Sequence, residues 1–188
     1  MTRSLGETDI AFVPVARDNW SDFEEFFQSV GILCYCWCMA WRMTNEERKQ
    51  GDSSAYRKEL MKQRVWAGIP VGLLARAGDE VIGWCSVAPR ETYRRLGGDD
   101  SLDHVWSVTC FYIKPAYRGK GLISQMIGQA KEYAKQSGAR YLEAYPVKPD
   151  SPSYRFMGFV GSFERAGFVF NKTAGTRRHV MTYQLIDL

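Results

Sequence analysis

The run Cys110-Phe-Tyr-Ile-Lys-Pro-Ala-Tyr-Arg-Gly-Lys-Gly-Leu-Ile-Ser-Gln constrains the fold of this chain more than any other segment. An apolar stretch runs into Pro115, a basic turn carries two glycines, and beyond it Leu122, Met126, Ala130, Tyr133 and Ala134 keep helical spacing. That order reads as strand, glycine turn, helix. Gly119 and Gly121 let the backbone approach a ligand closely, and the first N–H groups of a helix have no partner within it. The result is an anion site suited to a pyrophosphate, with Arg118 and Lys120 beside it. Hydrogen bonds to a charged group are worth roughly 1.5–3 kcal/mol each. The helix dipole adds only about 0.3–1 kcal/mol, so the aligned amides carry the site. The alternative is a tight turn that needs two glycines for its own sake. The segment lacks the Gly-Lys-Ser/Thr ending of a Walker loop and the three spaced glycines of a dinucleotide fingerprint.

Around this core the period alternates between strand and helix. Residues 10–14 form a short apolar stretch ended by proline, a first strand. Asp18 is placed to cap the next helix, which buries Trp20, Phe23, Phe26, Phe27 and Val30 and stops at Gly31. Residues 32–41 are aromatic and thiol-rich and fit strand or helix equally. Residues 53–67 are helical by pattern, and 71–77 with 81–88 form a hairpin about Gly78-Asp79. Residues 90–103 form a polar loop, 104–113 a strand, 121–137 a helix, 140–147 a strand and 159–166 a short helix. Residues 168–171 and 180–186 close the chain as a second hairpin. Interleaved helices and strands with hairpins at both ends predict a mixed α/β sheet.

A chain of 188 residues with no repeat or linker is expected to be a single domain, 1–188. At 45% hydrophobic and 24% charged it excludes disorder and collagen. Its formal charge of +4 suits an anionic small ligand and falls short of a nucleic-acid binder. The start of the chain, residues 1–10, has no signal-peptide core. The longest uncharged apolar run, 32–41, is about half of what a bilayer demands, so no membrane partner is expected. Five cysteines and no signal predict free thiols and a cytoplasmic location. Cys34, Cys36 and Cys38 lack the spacing of a metal site, and His104 and His179 are the only histidines, so no metal is expected.

The wider pattern is Ile113-x-Pro115-x-x-Arg118-Gly119-x-Gly121-Leu122, then Gly138-Ala-Arg-Tyr-Leu-Glu-Ala-Tyr, then Phe163-Glu-Arg-Ala-Gly-Phe168. From about Val81 to Phe168 it resembles the GNAT superfamily of acetyl-CoA-dependent N-acetyltransferases. The resemblance implies a mostly antiparallel sheet splayed between its fourth and fifth strands, with helices on both faces. It implies acetyl-CoA as co-substrate, its pyrophosphate on Arg118, Gly119, Lys120, Gly121, Leu122 and Ile123. Phe111, Tyr112 and Ile113 would pair their backbone with pantetheine, and one amide there would polarise the thioester carbonyl. Three positions depart from the family: Ile123 where Gly or Ala is usual, Phe163 where many members carry a Tyr that protonates the thiolate, and Ser107 where some carry a Glu base.

The implied function is transfer of an acetyl group to an amine, a small molecule by preference, through direct attack and without a covalent enzyme intermediate. The rivals are a non-catalytic acyl-CoA-binding module, and acetylation of a protein lysine or N-terminus. Glu143, sharing a strand face with Tyr145, is the candidate base or acceptor contact; the alternative is an edge carboxylate paired with Arg140 or Lys148. Trp37, Glu91, Tyr93 and Tyr145 are the candidate acceptor-lining residues, and the cysteine-rich segment is expected as an apolar wall of the acceptor pocket. Ser162, one helix step from Phe163, is expected to aim elsewhere. A monomer or homodimer is expected.

Overall fold

One seven-stranded sheet, in the order β1-β2-β3-β4-β5-β7-β6, organises the computed structural model, which describes residues 9–186. Strands β1 (Ile10–Pro14), β2 (Leu73–Ala77), β3 (Glu80–Pro89) and β4 (Val105–Ile113) pair antiparallel in succession. β4 pairs parallel with β5 (Tyr141–Ala144), and β7 (Arg178–Gln184) and β6 (Val169–Ala174) complete the sheet antiparallel. The mixed α/β sheet expected from the sequence is the one observed. Apart from residues 9 and 10, the segment read for a signal core lies outside the described residues.

Helices cover both faces. On one side α1 (Trp20–Ser29) and α2 (Gly31–Cys36) precede α3 (Asn45–Gln50) and α4 (Ser54–Trp66). Phe23, Phe27, Leu33 and Met61 from this layer bury against Leu74 and Trp84 of the sheet. On the other side α5 (Leu122–Gln136) and α6 (Val160–Arg165) set Met126, Ile127, Ala130 and Phe163 against Ile82, Val87 and Val108. Burying such a side chain contributes roughly 1.5–3 kcal/mol, so these two apolar layers hold the sheet between them.

Several boundaries differ from expectation. Asn19, not Asp18, occupies the N-cap of α1, and its amide ties the preceding turn through Ala16 N–H at 2.8 Å and Pro14 C=O at 2.9 Å. Gly31 does not stop the chain's helical course; it opens α2 after an extended Val30. α3 was not expected, although Thr44 and Glu47 form a reciprocal capping box that is visible in the sequence. β5 is shorter than 140–147 because Pro146 has no N–H to donate and Val147 instead bonds Gly158.

The decisive feature lies between β4 and β5. Their pairing ends at Val108 opposite Ala144, while β4 continues to Ile113. The chain after β5 bridges Val147 to Phe159 instead, so the second half of β4 turns its free edge to an open wedge. A bulge sharpens the divergence: Ser86 faces Cys110 and Val87 faces Val108, leaving Thr109 as the extra residue.

Candidate active site

The wedge contains two adjoining cavities that share Phe111, Tyr112, Arg118 and Phe156. The first, about 450 Å³, lies between the end of β4 and the start of α6, and adds Ile113, Ile123, Gly158 and Ser162 to its walls. The second, about 440 Å³, lies on the other side of β4 against α2, where Leu33, Cys36, Cys38, Trp41, Thr109 and Cys110 face it. The groove therefore runs past both sides of the same strand end.

At its mouth the chain turns into α5. Gly119 and Gly121 adopt left-handed backbone, with φ of 73° and 77°, and a side chain built on either meets nothing within 4 Å. The glycines are thus required by backbone conformation, and the space over them is open. α5 starts with no side-chain cap, so its first amides point outward. Arg118 Nε donates to Ile113 C=O at 2.9 Å, which places the guanidinium over the Tyr112 ring. Among the described residues neither Arg118 nor Lys120 forms an ion pair with a carboxylate. Glu80 braces the turn from behind, accepting from Lys114 Nζ and the Tyr117 hydroxyl at 2.8 Å each. Those two bonds hold its carboxyl below the ordinary range.

Phe111, Tyr112, Ile113, Arg118 and Ile123 come together at this groove, with Gly119, Lys120, Gly121 and Leu122 forming the turn at its edge. The acceptor-side residues do not gather. Trp37 is buried, stacked on Phe27 with centroids 5.5 Å apart and donating from Nε1 to Ser54 Oγ at 3.0 Å. Two successive left-handed residues, Trp37 and Cys38, turn the indole inward, and Cys36 and Cys38 are among the residues that line the cavity. Glu91 is exposed on a separate depression beside Arg94. Tyr93 is buried, its hydroxyl accepting from Arg42 at 2.8 Å and lying 3.1 Å from Ser86 Oγ.

Glu143 is wholly buried and pairs with neither Arg140 nor Lys148. One oxygen accepts from Arg90 at 3.2 Å and from the Tyr145 hydroxyl at 2.9 Å, while the other accepts from Asp99 N–H at 2.9 Å. Arg140 instead pairs with Asp103. Tyr145 is buried against Ser107, their hydroxyls 3.0 Å apart. Burial first, and the neighbouring Glu143 charge second, push that phenol well up. The shared face of Glu143 and Tyr145 is real, but it points into the protein.

On α6 one residue differs from expectation, Ser162. Phe163 is fully buried between Phe111 and Phe168, whereas Ser162 lines the groove. Cys36, Cys38 and Trp41, from the cysteine-rich segment expected as a wall, do line the cavity beside α2, whereas Thr109 and Phe156 on that cavity escaped the sequence reading. Among the described residues no group of three or more ligating side chains fits a metal ion, and no helix is long and apolar enough to cross a membrane.

The fold is shared with solved structures. The aminoglycoside acetyltransferase AAC(6')-Ib in complex with coenzyme A is 14% identical, with a TM-score of 0.61 over 94% of this chain and 95% of that one. YncA from Salmonella typhimurium, solved with its cofactor acetyl-CoA, is 15% identical, with a TM-score of 0.57 over 95% of each chain. The paia N-acetyltransferase of Thermoplasma acidophilum, in complex with coenzyme A, is 17% identical, with a TM-score of 0.55 over 94% and 99%. In sequence the chain matches no curated protein. The pattern of the Acetyltransferase (GNAT) family matches residues 35–159, from the cysteine-rich segment through the wedge to the start of α6. With the motif, the sheet and the family pattern in agreement, this chain belongs to the GNAT acetyltransferase family.

Proposed function

We propose that this protein moves an acetyl group from acetyl-CoA to the amine of a small molecule, by direct attack of the nitrogen on the thioester. The observation that carries the reading is the open wedge: the unpaired edge of β4 leads to a glycine turn whose backbone leaves room for a phosphate. In this reading the amides of residues 119–123, with Arg118 and Lys120, hold the pyrophosphate. The edge of Phe111, Tyr112 and Ile113 aligns pantetheine. The thioester then lies near the bulge at Thr109, where the strand bends and one amide can polarise the carbonyl.

The acceptor enters from the α2 side. That cavity is walled by Ile32, Leu33, Trp41 and Phe156, and its lining includes no carboxylate. Apolar walls and confined volume favour a small aromatic or aliphatic amine over a peptide, whose backbone needs an open groove. An alkylamine of pKa ≈ 10.4 costs about 4.6 kcal/mol to present neutral at pH 7, so entry to a cavity without carboxylates selects the neutral form.

Acetyl-CoA turnover, read as free thiol release across a panel of amines, peptides and antibiotics, tests the reading. Release that depends on a small amine supports it. Tight acetyl-CoA binding without turnover on any acceptor would replace it with a binding module, and turnover on peptides alone with a protein acetyltransferase.

A further inference from the structure

The chain carries two arginine pairs that the cofactor turn does not use, Arg94-Arg95 and Arg177-Arg178. Arg95 pairs with Asp100 at 2.6 Å, and Arg177 donates to Ser153 Oγ at 3.0 Å. Their neighbours meet on one ring. The guanidinium carbons of Arg94 and Arg178 lie 5.3 Å and 4.8 Å from the Trp41 ring centroid, within cation–π range. Trp41 is part of the wall of the cavity beside α2. It is held there by its backbone, whose C=O accepts from Arg94 N–H at 2.7 Å, and by the Tyr154 ring at 6.2 Å. Arg178 also lies 5.6 Å from the centre of Tyr154, and Phe156, 6.3 Å from Tyr154, lines the same cavity as Trp41. A loop after β3 and the start of β7 thus place two cations against one wall of that cavity.

Both cations lack a counter-charge. Among the described residues neither Arg94 nor Arg178 pairs with a carboxylate, although Glu91 shares a depression with Arg94. Arg178 gives one N–H to Leu96 C=O at 2.9 Å, and among the described residues no protein acceptor takes a side-chain N–H of Arg94. Both residues are partly exposed, so the remaining donors are open to a solute. Burial first, and then the charge of Arg48, hold Arg94 below the usual guanidinium value. Burial does the same to Arg178, against the opposing pull of Tyr154 and Tyr145. A second guanidinium on the same ring adds repulsion that a bound anion relieves. A guanidinium stacked on an aromatic face keeps its planar fork of donors, which matches the oxygens of a carboxylate or phosphate. The lining of the cavity adds Arg118 and no carboxylate, so no like charge opposes an anion there.

We infer that the acceptor is an amine with an anionic group, carboxylate or phosphate, on an apolar body, and that Arg94 and Arg178 on the Trp41 ring bind the anion. This rests on the N-acetyl-transfer reading and narrows it. The apolar walls take the body of the acceptor, and the two arginines read its charge. With the anion held at Trp41, the amine is the end left for β4, where Thr109 and Cys110 line the cavity. The same basic rim disfavours an amine that brings only its own positive charge.

Binding and turnover test this separately on the full chain. With CoA saturating, 3-phenylpropionate, phenyl phosphate and the neutral 3-phenylpropan-1-ol, none of which carries an amine, are titrated by calorimetry. One anion is expected to bind about tenfold or more tighter than the alcohol, and the tighter anion names the group recognised. That preference should vanish in Arg94→Gln and Arg178→Gln and persist in part in Arg178→Lys, which keeps the charge. Arg94→Gln removes no side-chain hydrogen bond within the chain, so it decides the matter even where Arg178→Gln fails to fold. No preference for either anion in the wild type, or a preference that survives in folded Arg94→Gln, overturns the proposal. An equal loss of CoA affinity in Arg94→Gln also overturns it, by giving the arginine to the cofactor. Turnover then compares phenylalanine with phenethylamine, and O-phosphoethanolamine with ethanolamine. The anionic member of one pair is expected to show kcat/KM about tenfold or more above its neutral partner, and to lose that advantage in Arg94→Gln with KM for acetyl-CoA unchanged. Faster turnover of the neutral member in both pairs overturns the proposal. If no amine is acetylated while the anion preference holds in binding, the transfer reading fails and the anion site stands.

Discussion

The Glu143 carboxylate and the Arg90 guanidinium meet at 3.2 Å across the divide between β5 and the turn that follows β3. Arg90 also donates to Asp99 C=O and Leu102 C=O at 2.8 Å each, so the pair fastens the loop after β3 to the sheet. The carboxylate is sealed from solvent and lines neither cavity of the groove.

Glu143→Gln should therefore act on stability. Breaking a buried pair costs about 3–5 kcal/mol, and the partial exposure of Arg90 points to about 3 kcal/mol. Urea unfolding should show that loss, with acetyl-CoA affinity unchanged by calorimetry. A stable variant with a slowed, acceptor-dependent rate would restore Glu143 to the chemistry.

Gly121→Glu should abolish acetyl-CoA binding. The substitution adds a negative charge over the glycine turn and strains a residue with φ of 77°. Gly121→Asn tolerates the same conformation and serves as the control. Calorimetric titration should show loss of affinity for Glu and near retention for Asn, with both variants folded. Equal affinity in the Glu variant places the pyrophosphate elsewhere.

Phe163 should behave as core. Phe163→Ala is expected to cost about 3–5 kcal/mol in stability. Phe163→Tyr puts a hydroxyl among Phe111, Phe168 and Gly158 and is expected to cost about 1–3 kcal/mol. Single-turnover rates with a working acceptor should change little in Phe163→Leu. A hundredfold fall in a folded, acetyl-CoA-binding Phe163→Leu protein would give the ring a catalytic role.

The brace at Glu80 should make the turn sensitive to acid. The Lys114 and Tyr117 bonds depress its folded-state pKa, so its contribution is present above the unfolded carboxyl value and fades as pH falls through the folded one. Acetyl-CoA affinity should be weaker in Glu80→Gln than in the wild type at neutral pH. That gap should close as the pH drops through the carboxylate range; a gap independent of pH would assign the effect to something other than this charge.

The sequence alone determined the sheet, its hairpins and the glycine turn, because each is written in local periodicity and turn chemistry. Leu122, Met126 and Ala130 announce a helix, and Gly119 and Gly121 announce backbone that other residues adopt at a cost. What lines the cavity beside α2 was decided by tertiary structure. Trp37 and Cys38 alternate in sequence like residues of a strand, but two left-handed residues after α2 bury the Trp37 indole in the core and leave Cys38 among the residues lining the cavity. Trp84 Nε1 meets the Cys38 sulfur, and Arg42 meets Ser86 and Tyr93, across long stretches of chain, and no spacing in the sequence encodes those meetings. Glu143 has the parity of a site residue, yet whether that face meets solvent depends on Arg90 and the Asp99 loop closing over it. Periodicity tells which residues share a face; only packing tells what covers it.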